Sequence, residues 1–423
     1  MFQFPQVFYY LKYYGNEIFS RFEESTYKNM GGVQMYRHQI IILLSLLIPS
    51  ILYSQKQSTK NFENETQEVI RLTFNSQFDE AFKIADEHLS TEPQALTWKY
   101  FHAMILFRQA EYQTYLAGSY GREEYKTQAK KLFNRSYDEL IESARIGEKL
   151  IEKNPRDTVS LFFTGAIYGY IGMYLTIDGE MFKAASEGKK GMNYHEKLIE
   201  MCPKWNDVYY SEGVFNFYAS NVPWWLKPIL WILGKSGTES RAEENLKKVA
   251  DNGNYAKYAA MEFLMQLYLR QEKYDQAIKL CDRLGKEFPN NRFKYKRIIS
   301  WSISGDDNRN KQMEFLRNEI EHAKKEQFSE FNKLEVAWFY LDLANNYSAM
   351  DDHVKSIAVY NELIDSKLVP GTESWSRLRL ADEYSKLGKR KEAIDNINWV
   401  IKNSSSDVHK KMAKEKLAEL NAK

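Results

Sequence analysis

Apolar residues recur at three- and four-residue spacing through nearly every segment after Gln55, as helices with one buried face require. The pattern is clearest between Tyr258 and Pro289, YAAMEFLMQLYLRQEKYDQAIKLCDRLGKEFP, where a turn separates two such runs. Leu264 and Tyr268 have the size and spacing to fill the seam between the two predicted helices. Ala277 is small where the second must cross the first closely, and Pro289 cannot continue the second helix.

With Tyr274, these residues stand at the offsets of a repeat with a period of about 34 residues, and the stretch resembles a tetratricopeptide repeat (TPR). The rest of the chain repeats the unit with varying fidelity. In the first unit Phe78, Ala81 and Pro93 take the offsets of Tyr274, Ala277 and Pro289. The second pairs LTWKYFHAMILFRQAEYQTYL with a long helix from Glu124 to Lys153, across a loop at Gly118 to Gly121. Gly165 and Gly213 stand at close-contact positions of the third and fourth units, where a missing side chain lets two backbones approach. The sixth pairs RFKYKRIISWSI with NRNKQMEFLRNEIEHAKK; Leu343, Ala344, Tyr347 and Tyr360 mark the seventh, and Leu380, Ala381, Tyr384, Ala393 and Val400 the eighth. The resemblance implies an all-α fold: a right-handed α-solenoid of about eight TPR-like helix pairs over residues 55–405, ended by a mostly polar capping helix over 406–423.

One stretch breaks the repeat. Residues 221–238, NVPWWLKPILWILGKSGT, replace a short polar turn of the fourth unit with three tryptophans and two prolines. Trp224, Trp225, Leu226, Ile229 and Trp231 need an apolar environment. Three are open: the solenoid's own groove, a membrane interface, or a protein partner. The hairpin is also similar to one in a eukaryotic TPR family linked to the mitochondrial outer membrane.

The N-terminus carries a second message. Met35-Tyr-Arg37-His38 followed by an apolar run ending near Ser54 has the layout of a secretory signal peptide over residues 35–54, with an apolar core too short to span a bilayer. Residues 1–34 form a leader that points to a start at Met30 or Met35. No cysteine follows the apolar run, which argues against a lipid anchor. Export to a bacterial periplasm or cell envelope is the expectation.

Charge adds little direction. The 423 residues carry a formal net charge of +2, so no global field points to nucleic acid, and none is expected as a partner. Cys202 and Cys281 fall in different units, beyond disulfide reach of each other, and read as core residues. The histidines are scattered with no second ligand at metal spacing. No phosphate loop, nucleophile elbow or acid–base pair is present, so no metal, cofactor or catalytic residue is expected. Asp306-Asp307 and Asp351-Asp352 read as helix caps.

TPR solenoids present offsets two, five, nine and twelve of each first helix to a concave groove. The resemblance therefore implies a groove formed by Phe162, Tyr210, Phe217, Glu262, Gln266, Trp338, Leu341, Asn345, Trp375 and Asp382. Lysine is missing from these offsets, so an aromatic groove for an extended or helical segment is favoured over a clamp for a peptide carboxylate. The expected function is a non-enzymatic scaffold that binds a protein or peptide. The alternatives are an envelope assembly factor that touches the membrane surface through the Trp/Pro hairpin, and an enzyme with an unrecognised site.

Overall fold

The computed structural model describes residues 58–92, 94–120, 123–220, 237–304, 308–325, 330–369 and 371–422. The leader, the signal peptide and the hairpin residues Trp224, Trp225, Leu226, Ile229 and Trp231 lie outside the described residues.

Within them every regular element is helical. The order is α1 (Ser58–Phe74), α2 (Phe78–Thr91), α3 (Leu96–Tyr120), α4 (Glu123–Lys153), α5 (Thr158–Ile177), α6 (Met181–Met201), α7 (Tyr210–Ala219), α8 (Glu239–Asn252), α9 (Lys257–Arg270), α10 (Tyr274–Glu287), α11 (Arg292–Ser302), α12 (Arg309–Lys324), α13 (Glu330–Ala349), α14 (His353–Ser366), α15 (Thr372–Lys386), α16 (Arg390–Asn403) and α17 (Asp407–Ala422). This is an all-α helical-repeat solenoid of eight successive pairs and a final helix. The 3.6-residue periodicity accounts for it, because each helix buries one stripe against the next.

Local chemistry sets the helix ends. Asp157 caps α5 by accepting from the backbone N–H of Val159 and Ser160, and Asp352 caps α14 through Lys355 N at 3.2 Å. Asp351, expected as a second cap, instead makes the turn in a left-handed conformation, φ 59°. Asp306 and Asp307 lie outside the described residues. The expected loop at Gly118 is helix: α3 continues to Tyr120. A single glycine costs a helix only about 1 kcal/mol, and hydrogen bonds continuing through the turn outweigh it.

The chain divides into two compact units at Leu280/Cys281, inside α10. In the first, the first helices of the pairs meet one another. Gln67 on α1 donates to the Asn254 carbonyl at 3.0 Å, Phe74 faces Tyr258 at 5.9 Å, and Phe101 on α3 and Phe163 on α5 both pack on Tyr255. α5 is apolar and long enough to cross a membrane by composition, but it lies inside this unit. Gly165 and Gly213 act as expected. A β-carbon on Gly165 would lie 2.1 Å from the His195 ring on α6, and one on Gly213 would lie 3.0 Å from Leu246 on α8. Where the chain returns from the 221–236 stretch, Gly237 is pressed on α7: a β-carbon there would lie 2.4 Å from that of Ala219. Thr238 N also donates to Asn216 Oδ1 at 3.1 Å.

The second unit holds α11 to α17. Its C-terminal end is organised by Leu378, Ala381, Ala393, Ile397, Val400 and Ala413, all buried.

Candidate binding surfaces of the first helices

In the first unit the groove offsets point into a core. Phe162 is fully buried, stacked on His195 at 4.9 Å and on Trp205 at 4.6 Å. Tyr210 and Phe217 are equally buried and pack on Phe263. These three side chains therefore present no surface to a partner. The reason is geometric: the inner helices of this unit approach until their own side chains fill the space between them. Gln266 is half-buried on the same helix face as Glu262.

His195 shows how tightly that core is set. One ring nitrogen, Nε2, lies 2.9 Å from the Phe162 carbonyl and the other, Nδ1, 3.0 Å from Ser211 Oγ. The carbonyl can only accept, so Nε2 carries the proton and Nδ1 accepts from the serine hydroxyl. Burial pushes the imidazole pKa down to about 3, so the ring is neutral.

Glu262 is held by Arg108 on α3 at 3.2 Å, and Glu111 takes the same guanidinium at 3.2 Å. Burial alone would lower the Arg108 pKa, but the two carboxylates outweigh it and hold it well above its ordinary value. Tyr100, Tyr170 and Tyr210 surround the cluster. Burial raises all three phenols, Tyr170 to about 12. This is an interior ion cluster from different repeats, with carboxylates committed to an arginine and phenols held protonated.

The second unit is different. Arg297 on α11 is sandwiched between Trp301 and Trp338, its guanidinium carbon 4.1 and 4.2 Å from the ring centroids, and it pairs with Glu335 at 3.2 Å. Trp338 is thus half-buried in a stack, and Leu341 on the same helix is buried. Further along α13 a cavity of about 430 Å³ opens, lined by Asn345 and Ser348 from α13, Arg379, Asp382, Ser385 and Lys386 from α15, and residues of α17. Asn345 is exposed, and its Oδ1 accepts from the Tyr360 hydroxyl at 2.7 Å. Asp382 pairs with Lys416 of α17. Trp375, one turn before Arg379 on α15, lies under that arginine at 4.7 Å and beside His409 at 5.8 Å.

Of the expected groove residues, then, only Asn345 and Asp382 meet in one cavity. Ser348 and Ser385 join them, and both occupy offset twelve of their helices, an offset whose residues were legible in the repeat register. Arg379 was missed because its position is outside the four groove offsets. Its Nε–H is buried with no hydrogen-bond partner among the described residues, and its nearest carboxylate, Asp382, is 3.9 Å away. Among the described residues no group of three or more His, Cys, Asp or Glu is placed to hold a metal. Both cysteines are free, Cys281 buried and Cys202 only half-buried.

No protein-family model matches this chain, and no curated protein matches it. Solved structures are similar at low identity. The Cut9 chain of the APC/C hetero-tetramer Cut9–Hcn1 is 14% identical with a TM-score of 0.36, covering 81% of this chain and 53% of that one. Yeast Tom70 is 12% identical with a TM-score of 0.31, covering 83% and 87%. The TPR domain of P58(IPK) is 11% identical with a TM-score of 0.23, covering 86% and 98%. The chain spans about half the length of the first of these.

Proposed function

We propose that this chain is a non-enzymatic scaffold of the bacterial cell envelope that engages a protein partner through the cavity of residues 281–423. One observation carries the reading: offsets nine and twelve of two successive first helices, Asn345 with Ser348 and Asp382 with Ser385, converge on a single cavity beside Arg379. Side chains that share a register on adjacent repeats form a continuous strip, and such strips suit extended or helical segments. The lining of this cavity is mixed, polar at Asn345, Ser348, Asp382 and Ser385 and apolar at Tyr360, Ile397 and Leu420, and the aromatic offsets Phe162, Tyr210 and Phe217 of the first unit are buried in its core. Export rests on the signal-like segment at residues 35–54.

A photoreactive amino acid placed at Asn345 in the producing cell tests this. Cross-linked adducts with an envelope protein are expected at Asn345 and not at Phe182, an exposed side chain of the first unit. Adducts at both positions, or at neither, would remove the support for a groove partner. Protein found entirely in the cytoplasmic fraction would remove the envelope assignment.

A further inference from the structure

The cavity of the second unit has an occupant along one wall. Helix α17 sets Lys416 on Asp382, lays His409 against Trp375 at 5.8 Å, and lines the cavity with Glu419 and Leu420 opposite Asn345 and Arg379. It thus covers offsets two and nine of α15, the positions a groove ligand would read.

Its hold is thin. Ala413 is the only buried residue of α17, against three on α16 and six on α15. Met412, Leu417 and Leu420 are only partly buried against the cluster beneath, and the Nδ1 of His409 is buried with no partner among the described residues. A helix with one buried residue and an unsatisfied polar atom in its interface opens locally at a lower free energy than the helices it covers.

We infer that α17 is a displaceable lid: it holds in cis the face of α15 that an incoming amphipathic helix takes, so partner binding and lid release are one coupled equilibrium. The inference rests on the groove reading above and names its partner chemistry. The helix that replaces α17 reproduces its contacts, with a small residue where Ala413 crosses, a basic residue three positions on for Asp382, and leucines four and seven positions on, as in Ala413, Lys416, Leu417 and Leu420. Closure lowers the apparent affinity for that helix by the fraction of molecules with the lid open.

The test uses the full chain and, as probe, a fluorescent synthetic peptide of residues 407–422. Four forms are compared: wild type; Lys416→Glu, which sets two carboxylates against each other; Ala413→Asp; and Asp382→Cys/Lys416→Cys closed by a short thiol cross-linker, with Cys202→Ser and Cys281→Ala. The peptide is expected to bind the Lys416→Glu form about tenfold more tightly than wild type and not to bind the cross-linked form. Ala413→Asp, which detaches the lid more fully, is expected to match or exceed Lys416→Glu. In wild-type hydrogen exchange, α17 amides are expected to exchange faster than those of α15 and α16. Equal peptide affinity in all forms, or α17 amides that exchange only together with α15 and α16, would overturn the lid. Because the probe is the chain's own helix, these outcomes are independent of the cross-linking at Asn345. Peptide exchange without adducts there would leave the lid standing and sink the groove partner.

Discussion

Arg108 on α3 and Glu262 on α9 are 154 residues apart in sequence and 3.2 Å apart in space. This pair bridges the second and fifth repeats, which an open solenoid keeps apart, and Tyr210, one of the buried groove offsets, lies beside it. Glu262→Leu removes one of two carboxylates that hold a desolvated guanidinium. The expected cost is about 1.5–3 kcal/mol, since hydrogen bonds to buried charged groups fall in that range. Chemical denaturation of wild type and variant measures it, and an unchanged midpoint would show the pair to be incidental.

Gly165 has no room for a side chain because the His195 ring occupies that space. A β-carbon there would stand 2.1 Å from the imidazole, and the ring is fixed at both nitrogens. Gly165→Ala is expected to destabilise the first unit by about 1–3 kcal/mol, the usual range for overpacking. Gly388, with nothing within 4 Å of a β-carbon but a φ of 73°, supplies a contrast: Gly388→Ala is strained by backbone conformation alone, at about 1 kcal/mol.

His195 also fixes a pH dependence. Its folded pKa is about 3, against an ordinary 6.5. Below pH 6.5 the unfolded chain takes up a proton that the folded chain refuses, so stability falls as pH drops from 6.5 towards 3. At pH 5 the loss from this group is about 2 kcal/mol. Asp207 works the other way: burial raises its pKa to about 6, so charging it costs stability as pH rises from 3.8 towards 6. The difference between wild type and His195→Gln separates the two groups. The variant is expected to lose less stability than wild type between pH 7 and pH 5.

In the second unit, Glu335 faces Arg297 with both side chains almost wholly buried. Glu335→Leu leaves a stacked, desolvated guanidinium without its nearest carboxylate and is expected to cost on the order of 3 kcal/mol. Loss of the sandwich is also expected to change the near-ultraviolet signal of Trp301 and Trp338. A variant with wild-type stability and spectrum would mean that the two indoles alone hold the arginine.

Much of the fold is determined by the sequence alone. Helix periodicity, the small residues at Gly165, Gly213 and Ala277, and the repeat register of Tyr258 to Pro289 are local features, and local features are written in consecutive residues. Eight pairs and a final helix follow from them, as does the capping role of Asp352. What tertiary structure decided is which offsets stay open. Phe162 and Tyr210 at offset five and Phe217 at offset twelve were expected to face the groove together with Asn345 and Asp382 at offset nine, yet the first three are core and the last two line a cavity. The difference comes from how closely non-adjacent repeats approach, as Arg108 and Glu262 do, and that distance sums small rotations over many helix pairs. No single repeat encodes it. Arg379 and Lys416 entered the candidate site for the same reason: their positions mean nothing until α15 and α17 lie side by side.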